Sequence, residues 1–307
     1  MLNRDFTKSN KEYFSKNKWP LIAIAVFLLV GVVIACIFGF RGNFELAGAT
    51  EFTVRIGSTA DTNECSRSVT STVNSYGGSV ESVVIFDDGD DTRLVVRYSR
   101  EVNEVNQAKI NDEIVTNLSL SGEDVSAHSF VAPTVRAKHY IFTVASILLI
   151  VVVASIFTAV RYNYASMITL LASCAVGTLG YLSISSILRL TIGLSYFAML
   201  VALNVLITYV CLNYFENIKR GGWLVNGDYE SAVKSTMKSS RFNLIFIASA
   251  ILLAGLLLVV AGPSAIKYVS INIMFMAVIV LAVALYILPF FWSVLITHKN
   301  LKVAIKK

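Results

Sequence analysis

Apolar residues fall along this chain in long runs broken by polar segments, and each of six runs reaches the roughly 20 residues that cross a bilayer as a helix. The runs occupy residues 20–40, 140–160, 165–187, 190–213, 242–262 and 269–296. Between the first two the period changes. Glu51–Ile56 alternates like a strand, and Asp61 can cap a helix whose Cys65, Val69, Val73 and Tyr76 share one face before Gly77-Gly78 ends it. Val80–Phe86 and Arg93–Tyr98 then flank the Asp-rich turn at 87–91, as in a hairpin. Ser99 opens a second predicted helix to about Leu118, and Val125–Val131 supplies a last strand. The order β-α-β-β-α-β predicts a ferredoxin-like α+β domain.

Composition agrees with a membrane protein. Of 307 residues, 55% are hydrophobic and 15% charged, against about 25% charged in soluble domains. The net charge of +6 would suit nucleic acid, but it sorts by side of the membrane instead. Fifteen basic residues lie in the N-terminal tail, at Arg161, in the loop 214–241 and at the C-terminus, while 41–139 carries 15 acidic and 9 basic residues. The positive-inside rule makes the basic side cytoplasmic. The expected organisation is a basic tail at 1–19, a first transmembrane helix at 20–40, an extracytoplasmic domain at 41–139, a five-helix bundle at 140–296 and a basic tail at 297–307. Both termini are then cytoplasmic. Within the bundle, 221–240 forms an amphipathic cytoplasmic segment, read as an interfacial anchor. Ala47-Gly48-Ala49 fits a signal-peptidase site, but the preceding apolar run is long for a signal core.

Candidate chemistry is sparse. Cys36, Cys174 and Cys211 fall inside apolar runs, and His128, His139 and His298 have no ligand spacing, so neither a metal nor a cofactor is called for. The acidic turn lacks the ligand alternation of a calcium loop. No nucleophile–base pair or phosphate-binding loop appears, so no enzyme is expected. In the third run Ala165, Thr169, Ser173 and Gly177 recur every fourth residue, a stripe suited to close helix packing, within the chain or against a partner. Asn204 and Thr208 share one face of the fourth run and read as interhelical hydrogen-bonding groups. Asn243 and Asn272 are expected near helix ends, and Arg189 in a short outer loop, snorkelling to the interface.

Several short motifs carry a resemblance. Glu45-Leu46-Ala47-Gly48-Ala49-Thr50 is similar to the D-F-x-G-G-T that follows the first helix of SecF, keeping Gly48 and Thr50. Ala132-Pro133-Thr134-Val135 is similar to its G-P-x-V, and Arg161-Tyr162 to its Arg-Phe after the second helix. Counting without gaps from Arg161, Phe215-Glu216-Asn217-Ile218-Lys219-Arg220 falls on F-D-R-I-R-E-N. Arg241 matches the Arg opening the fifth helix, and Gly262-Pro263 the glycine pair closing it. The chain thus resembles a divergent member of the SecF family, the smaller half of the SecD/SecF protein-export complex in the RND superfamily.

The resemblance implies a multi-pass protein of the bacterial plasma membrane that assists protein export. Its partners would be a SecD-like subunit, or more weakly a second copy, the Sec translocation channel, unfolded exported chains and the lipid bilayer. In the same register the family's intramembrane acids fall on Val176-Gly177 and Tyr209-Val210, which cannot ionise as carboxylates do. Asn204, Thr208 and Tyr209 would then supply neutral hydrogen bonds only. Glu216 is the lone acid beside a span and is expected to behave as an exposed surface carboxylate. Two other readings remain open at this point: a membrane sensor with an extracytoplasmic ligand domain, and a small-molecule RND-type transporter.

Overall fold

The computed structural model describes residues 2–42, 44–56, 61–87, 92–98, 102–220, 229–261 and 264–297. Two compact units emerge: residues 42–138 with 191–194, and the remainder of the chain.

The first unit is built on a four-stranded antiparallel sheet. Its strands are β1 (Ala49–Ile56), β2 (Val80–Asp87), β3 (Thr92–Tyr98) and β4 (Ser129–Val131), in the spatial order β2-β3-β1-β4. After α1 (Leu2–Phe38), which lies outside this unit, its longer helices are α2 (Thr62–Ser75) and α3 (Glu104–Leu118), beside short turns of helix at Phe44–Ala47 and Gly122–Asp124. Alternation places Phe52, Val54 and Ile56 of β1 and Leu94, Val96 and Tyr98 of β3 in one core, where they meet Val69 and Val73 of α2 and Ile110 and Ile114 of α3. The Asp61 carboxylate accepts from the amides of Asn63 (2.8 Å) and Glu64 (3.4 Å) and so caps α2. Gly77, at φ +84°, turns the chain out of it.

Two local expectations are corrected. The second helix starts at Glu104, where the Asn103 side chain accepts from the Asn106 amide at 2.9 Å; Ser99 and residues 88–91 of the acidic turn lie outside the described residues. The last strand is only Ser129–Val131, with an isolated bridge from Val54 to Val125. Between them the Ser126 hydroxyl takes the Thr53 amide at 2.7 Å, and the ladder is interrupted.

That interruption lets His128 turn into the core. Its ring lies 4.6 Å from that of Phe52, Nδ1 is 2.7 Å from the Tyr98 hydroxyl, and Nε2 is 2.7 Å from Asn111 Oδ1. With the Asn111 oxygen facing it, Nε2 carries the proton and donates, and Nδ1 accepts from Tyr98; this tautomer is inferred from the network. Burial lowers the His128 pKa to about 4 and raises that of Tyr98 to about 12.

The second unit comprises α1 (Leu2–Phe38), α4 (Ala137–Arg161), α5 (Tyr164–Ile187), α6 (Leu194–Arg220), α7 (Tyr229–Ala261), α8 (Ser264–Ala282) and α9 (Leu288–Thr297), the last two joined by a π turn at Val283–Ile287. Among the described residues, five stretches are long and apolar enough to cross a membrane: Lys18–Phe38, Ala137–Arg161, Tyr164–Ile187, Leu194–Lys219 and Val269–Leu295. Ile245–Ala261 is a shorter apolar stretch within α7. Residues such as Ile141, Leu149 and Val153 on α4 are exposed, as expected of a surface that meets lipid. The protein is therefore a multi-pass membrane protein. Asn272 is not near a helix end: it sits inside α8 and is buried. The side chain of Asn243 and the segment 221–228 lie outside the described residues.

Helix α1 is held by α5. Gly31 crosses Ser183 so closely that a Cβ there would overlap the Ser183 side chain and Cα, and the Ser183 hydroxyl donates to the Leu28 carbonyl at 3.4 Å. Arg189 does more than snorkel. It adopts φ 53°, costly for a residue with a Cβ, and its Nη1 donates to the carbonyls of Phe38 (3.1 Å) and Gly39 (2.9 Å). These are carbonyls that the end of α1 leaves without helical partners, and a cation there also suits the helix dipole.

Two outcomes test this packing. Below pH ~6.5 the unfolded His128 gains a proton that the folded one refuses until about pH 4, so the sheet unit loses stability as pH falls through that window and is flat above it. Amide exchange across β1 and β3, corrected for its intrinsic pH dependence, will show this, and His128→Phe will abolish it. Gly31→Leu will separate α1 from α5 and cost about 1–3 kcal/mol, the range for overpacking a close contact, read as a lowered denaturation midpoint in detergent.

Candidate functional site: an intramembrane polar seam

Helix α5 turns a continuous polar stripe into the bundle. Ser166, Thr169, Ser173, Ser183, Ser185 and Ser186 are all buried. A polar atom inside an apolar bundle needs a partner, and most find one locally or on α6 and α8. Thr169 donates to the Ala165 carbonyl at 2.8 Å and Ser185 to the Tyr181 carbonyl at 2.8 Å. Asn204 of α6 donates to the Thr178 hydroxyl and to the Leu200 carbonyl, each at 3.0 Å. Thr208 lies 3.8 Å from the Cys174 sulfur. Tyr181, fully buried and stacked on Tyr196 at 5.0 Å, donates to Asn272 Oδ1 at 3.0 Å. Among the described residues, the buried hydroxyl of Ser186 has no hydrogen-bond partner.

Asn204 and Thr208 of α6 thus face Thr178 and Cys174 of α5, and the small-residue stripe of α5 is buried inside this chain. Tyr209, the neighbour of Thr208 in sequence, lies on a different face of α6. It is 65% exposed and points away from the seam, because it is one helical step of 100° from Thr208. Sequence reading missed Thr178 and Tyr181 and named Asn272 only as a helix-end residue, although Cys174, Thr178, Tyr181 and Ser185 recur at helical spacing and would have disclosed the stripe.

Among the described residues, the seam contains no carboxylate. Gly177 faces α6, where an added Cβ would overlap only the terminal Cδ1 of Ile207, with Ile207 Cγ1 and Val283 Cγ2 at ordinary contact distances of 3.5 and 3.7 Å. The space is filled by an apolar side chain, so the seam is a packed contact at this level.

At the end of α4 a charged cluster closes the bundle. Glu216 Oε2 accepts from Arg161 Nη2 at 3.1 Å and from the Tyr162 hydroxyl at 2.8 Å. Phe215 is buried with its ring 5.8 Å from that of Tyr162, and Lys219 lies 5.7 Å from the Tyr162 ring centroid. Glu216 is therefore not the free surface acid expected; two motif fragments far apart in sequence meet through it. Burial first, and then the Glu216 carboxylate, raise the Tyr162 pKa, which keeps the phenol a donor.

The remaining motif residues serve the sheet unit. Glu45 accepts from the amide of Leu194, the first residue of α6, and its carbonyl accepts from the Val135 amide at 2.8 Å. Gly48, at φ +77°, lets Phe130 and the Val131 carbonyl approach where a Cβ would overlap them. Thr50 is buried opposite Tyr98, and Pro133 is exposed two residues before buried Val135. The Arg241 side chain, His298 and Gly262-Pro263 lie outside the described residues.

No known family model matches the chain, and no curated protein matches it. Solved structures do. SecDF in its super-membrane-facing form superposes over 90% of this chain with a TM-score of 0.71 at 14% identity. The fold is that of SecDF. A second SecDF, a translocon-associated membrane protein from Thermus thermophilus, superposes over 92% with a TM-score of 0.61 at 15% identity. This chain spans 38% of the length of each SecDF chain. At these identities the SecDF likeness concerns the fold.

The seam's role is tested by removing its bonds. Asn204→Ala will cost about 1 kcal/mol, the usual worth of an interhelical hydrogen bond in a membrane, measured by unfolding in mixed micelles. Gly177→Asp will cost more, because it must turn the Ile207 methyl aside and either bury a charge or hold the carboxyl neutral well above its ordinary pKa.

Proposed function

We propose that this chain is a SecF-like accessory subunit of the Sec protein translocase, assisting the export of unfolded protein chains across the bacterial plasma membrane. The likeness to SecDF over 90% of the chain carries this reading. Because the chain spans only 38% of those SecDF chains, the reading includes a SecD-like partner subunit, with a second copy of this chain as the weaker option. The apolar stretch Ile245–Ala261 then counts as the core of a fifth span, for six in all. The sheet order and the two intervening helices support a ferredoxin-like outer domain. Both termini are cytoplasmic, in keeping with the basic residues gathered on that side.

In this reading the subunit is not an enzyme and needs no cofactor; it binds and positions. It contributes no proton-relay carboxylate of its own, a view supported by the lack of any Asp or Glu at 140–215 and 231–296. Any titrating acid belongs to the partner, and Arg161, Tyr162 and Glu216 hold the cytoplasmic end of the bundle rigid.

Two experiments test the proposal. Affinity purification of the full chain in mild detergent should recover a SecD-like protein or the translocation channel; recovery of neither refutes it. Cys65 is buried in the outer domain, so after mild denaturation it should react with a membrane-impermeant thiol reagent added outside intact cells. Reaction only after the membrane is opened would reverse the assigned orientation.

A further inference from the structure

A cavity of about 390 Å³ lies between α1, α5 and the α8–α9 segment, lined wholly by apolar side chains. Its walls include Phe27 and Leu28 of α1, Val176 and Leu188 from α5 and its end, and Val278 and Ile287 opposite. The π turn Val283–Ile287 forms part of one wall. Its extra residue per turn shifts these side chains off the register that α8 would otherwise continue, which keeps the helices from closing on each other. Gly180 deepens the opposite wall: a Cβ there would meet Ile279 at 3.7 Å and Leu28 at 3.9 Å, ordinary contacts with space beyond.

Water does not suit this space, since a buried water needs about two to four polar partners. The cavity is also continuous with the surface that meets lipid. Phe27, Leu188 and Val278, all on its lining, are 36%, 51% and 43% exposed. Its length along α5, from Leu188 to Val176, is about 18 Å at the helical rise of 1.5 Å per residue. One leaflet of a bilayer's hydrocarbon core is about 15 Å thick. Arg189, adjacent to Leu188 at the helix end, brings a fixed positive charge to the level where a chain of that length meets its phosphate.

We propose that this cavity is a binding site for one acyl chain of a bilayer phospholipid, inserted between α1 and α5 with its phosphate toward Arg189. The bound chain takes the place of side-chain contacts that the π turn and Gly180 remove. It makes the seating of α1 dependent on lipid.

The test uses the full chain reconstituted in vesicles of phosphatidylethanolamine and phosphatidylglycerol that contain a phospholipid with a photoreactive group midway along its acyl chain. After irradiation, adducts are mapped by mass spectrometry. Phe27 and Leu28 should carry several-fold more adduct than Val153 and Leu257, which are more exposed on α4 and α7. Gly180→Leu and, from another turn, Val176→Phe should each remove the excess at Phe27 and Leu28 while leaving Val153 unchanged. An even distribution over exposed residues, or an excess that survives both substitutions, would overturn the site. So would its loss when a partner protein is co-reconstituted, because the groove would then be a protein interface.

Discussion

The constraint on which this structure depends is that a polar atom carried into a bilayer must find its partner inside the protein. Helix α5 meets it at nearly every turn. Its hydroxyls bond back to their own helix or across to Asn204 and Asn272, and its glycines and serines let α1 and α6 approach until side chains interlock. Burial separates the helices accordingly. Half of the α5 span is buried, against 11% of the α4 span, so α5 is the post around which the bundle packs and α4 is mostly lipid surface.

The same logic governs the helix ends. Arg189 accepts an unfavourable backbone conformation because its guanidinium can then serve two carbonyls that the end of α1 exposes. Glu216 gathers Arg161 and the Tyr162 phenol at the opposite end. Neither contact is an isolated surface ion pair, which would be worth little. Each closes a helix terminus or a loop where backbone groups lose their regular partners.

Features that depend on local rules were legible in the sequence. Asp61 caps α2 because a short carboxylate can reach two free amides, and strand alternation names Phe52, Val54, Leu94 and Val96 as core. Features decided by tertiary contact were not. Nothing local announces that Ser126 would take the Thr53 amide and end the ladder, or that His128 would turn inward between Phe52 and Tyr98. Tyr209 follows Thr208 in sequence, yet one helical step turns it outward. Asn272 was misread because a hydropathy span has no internal depth until α8 is packed against Tyr181.

Packing and proton transfer compete for the same volume at Gly177. A relay needs a group that can take a charge, and a charge in a bundle needs hydration or a counter-charge beside it. Ile207 removes the hydration by occupying the space, and the nearest polar groups, Thr178 and Asn204, already satisfy one another. A carboxylate introduced there would meet hydrocarbon on one side and committed hydrogen-bond partners on the other, and would stay protonated. The close α5–α6 contact and the apolar surroundings of Gly177 therefore act together: an acid placed there would first have to turn the Ile207 methyl aside and would then stay neutral.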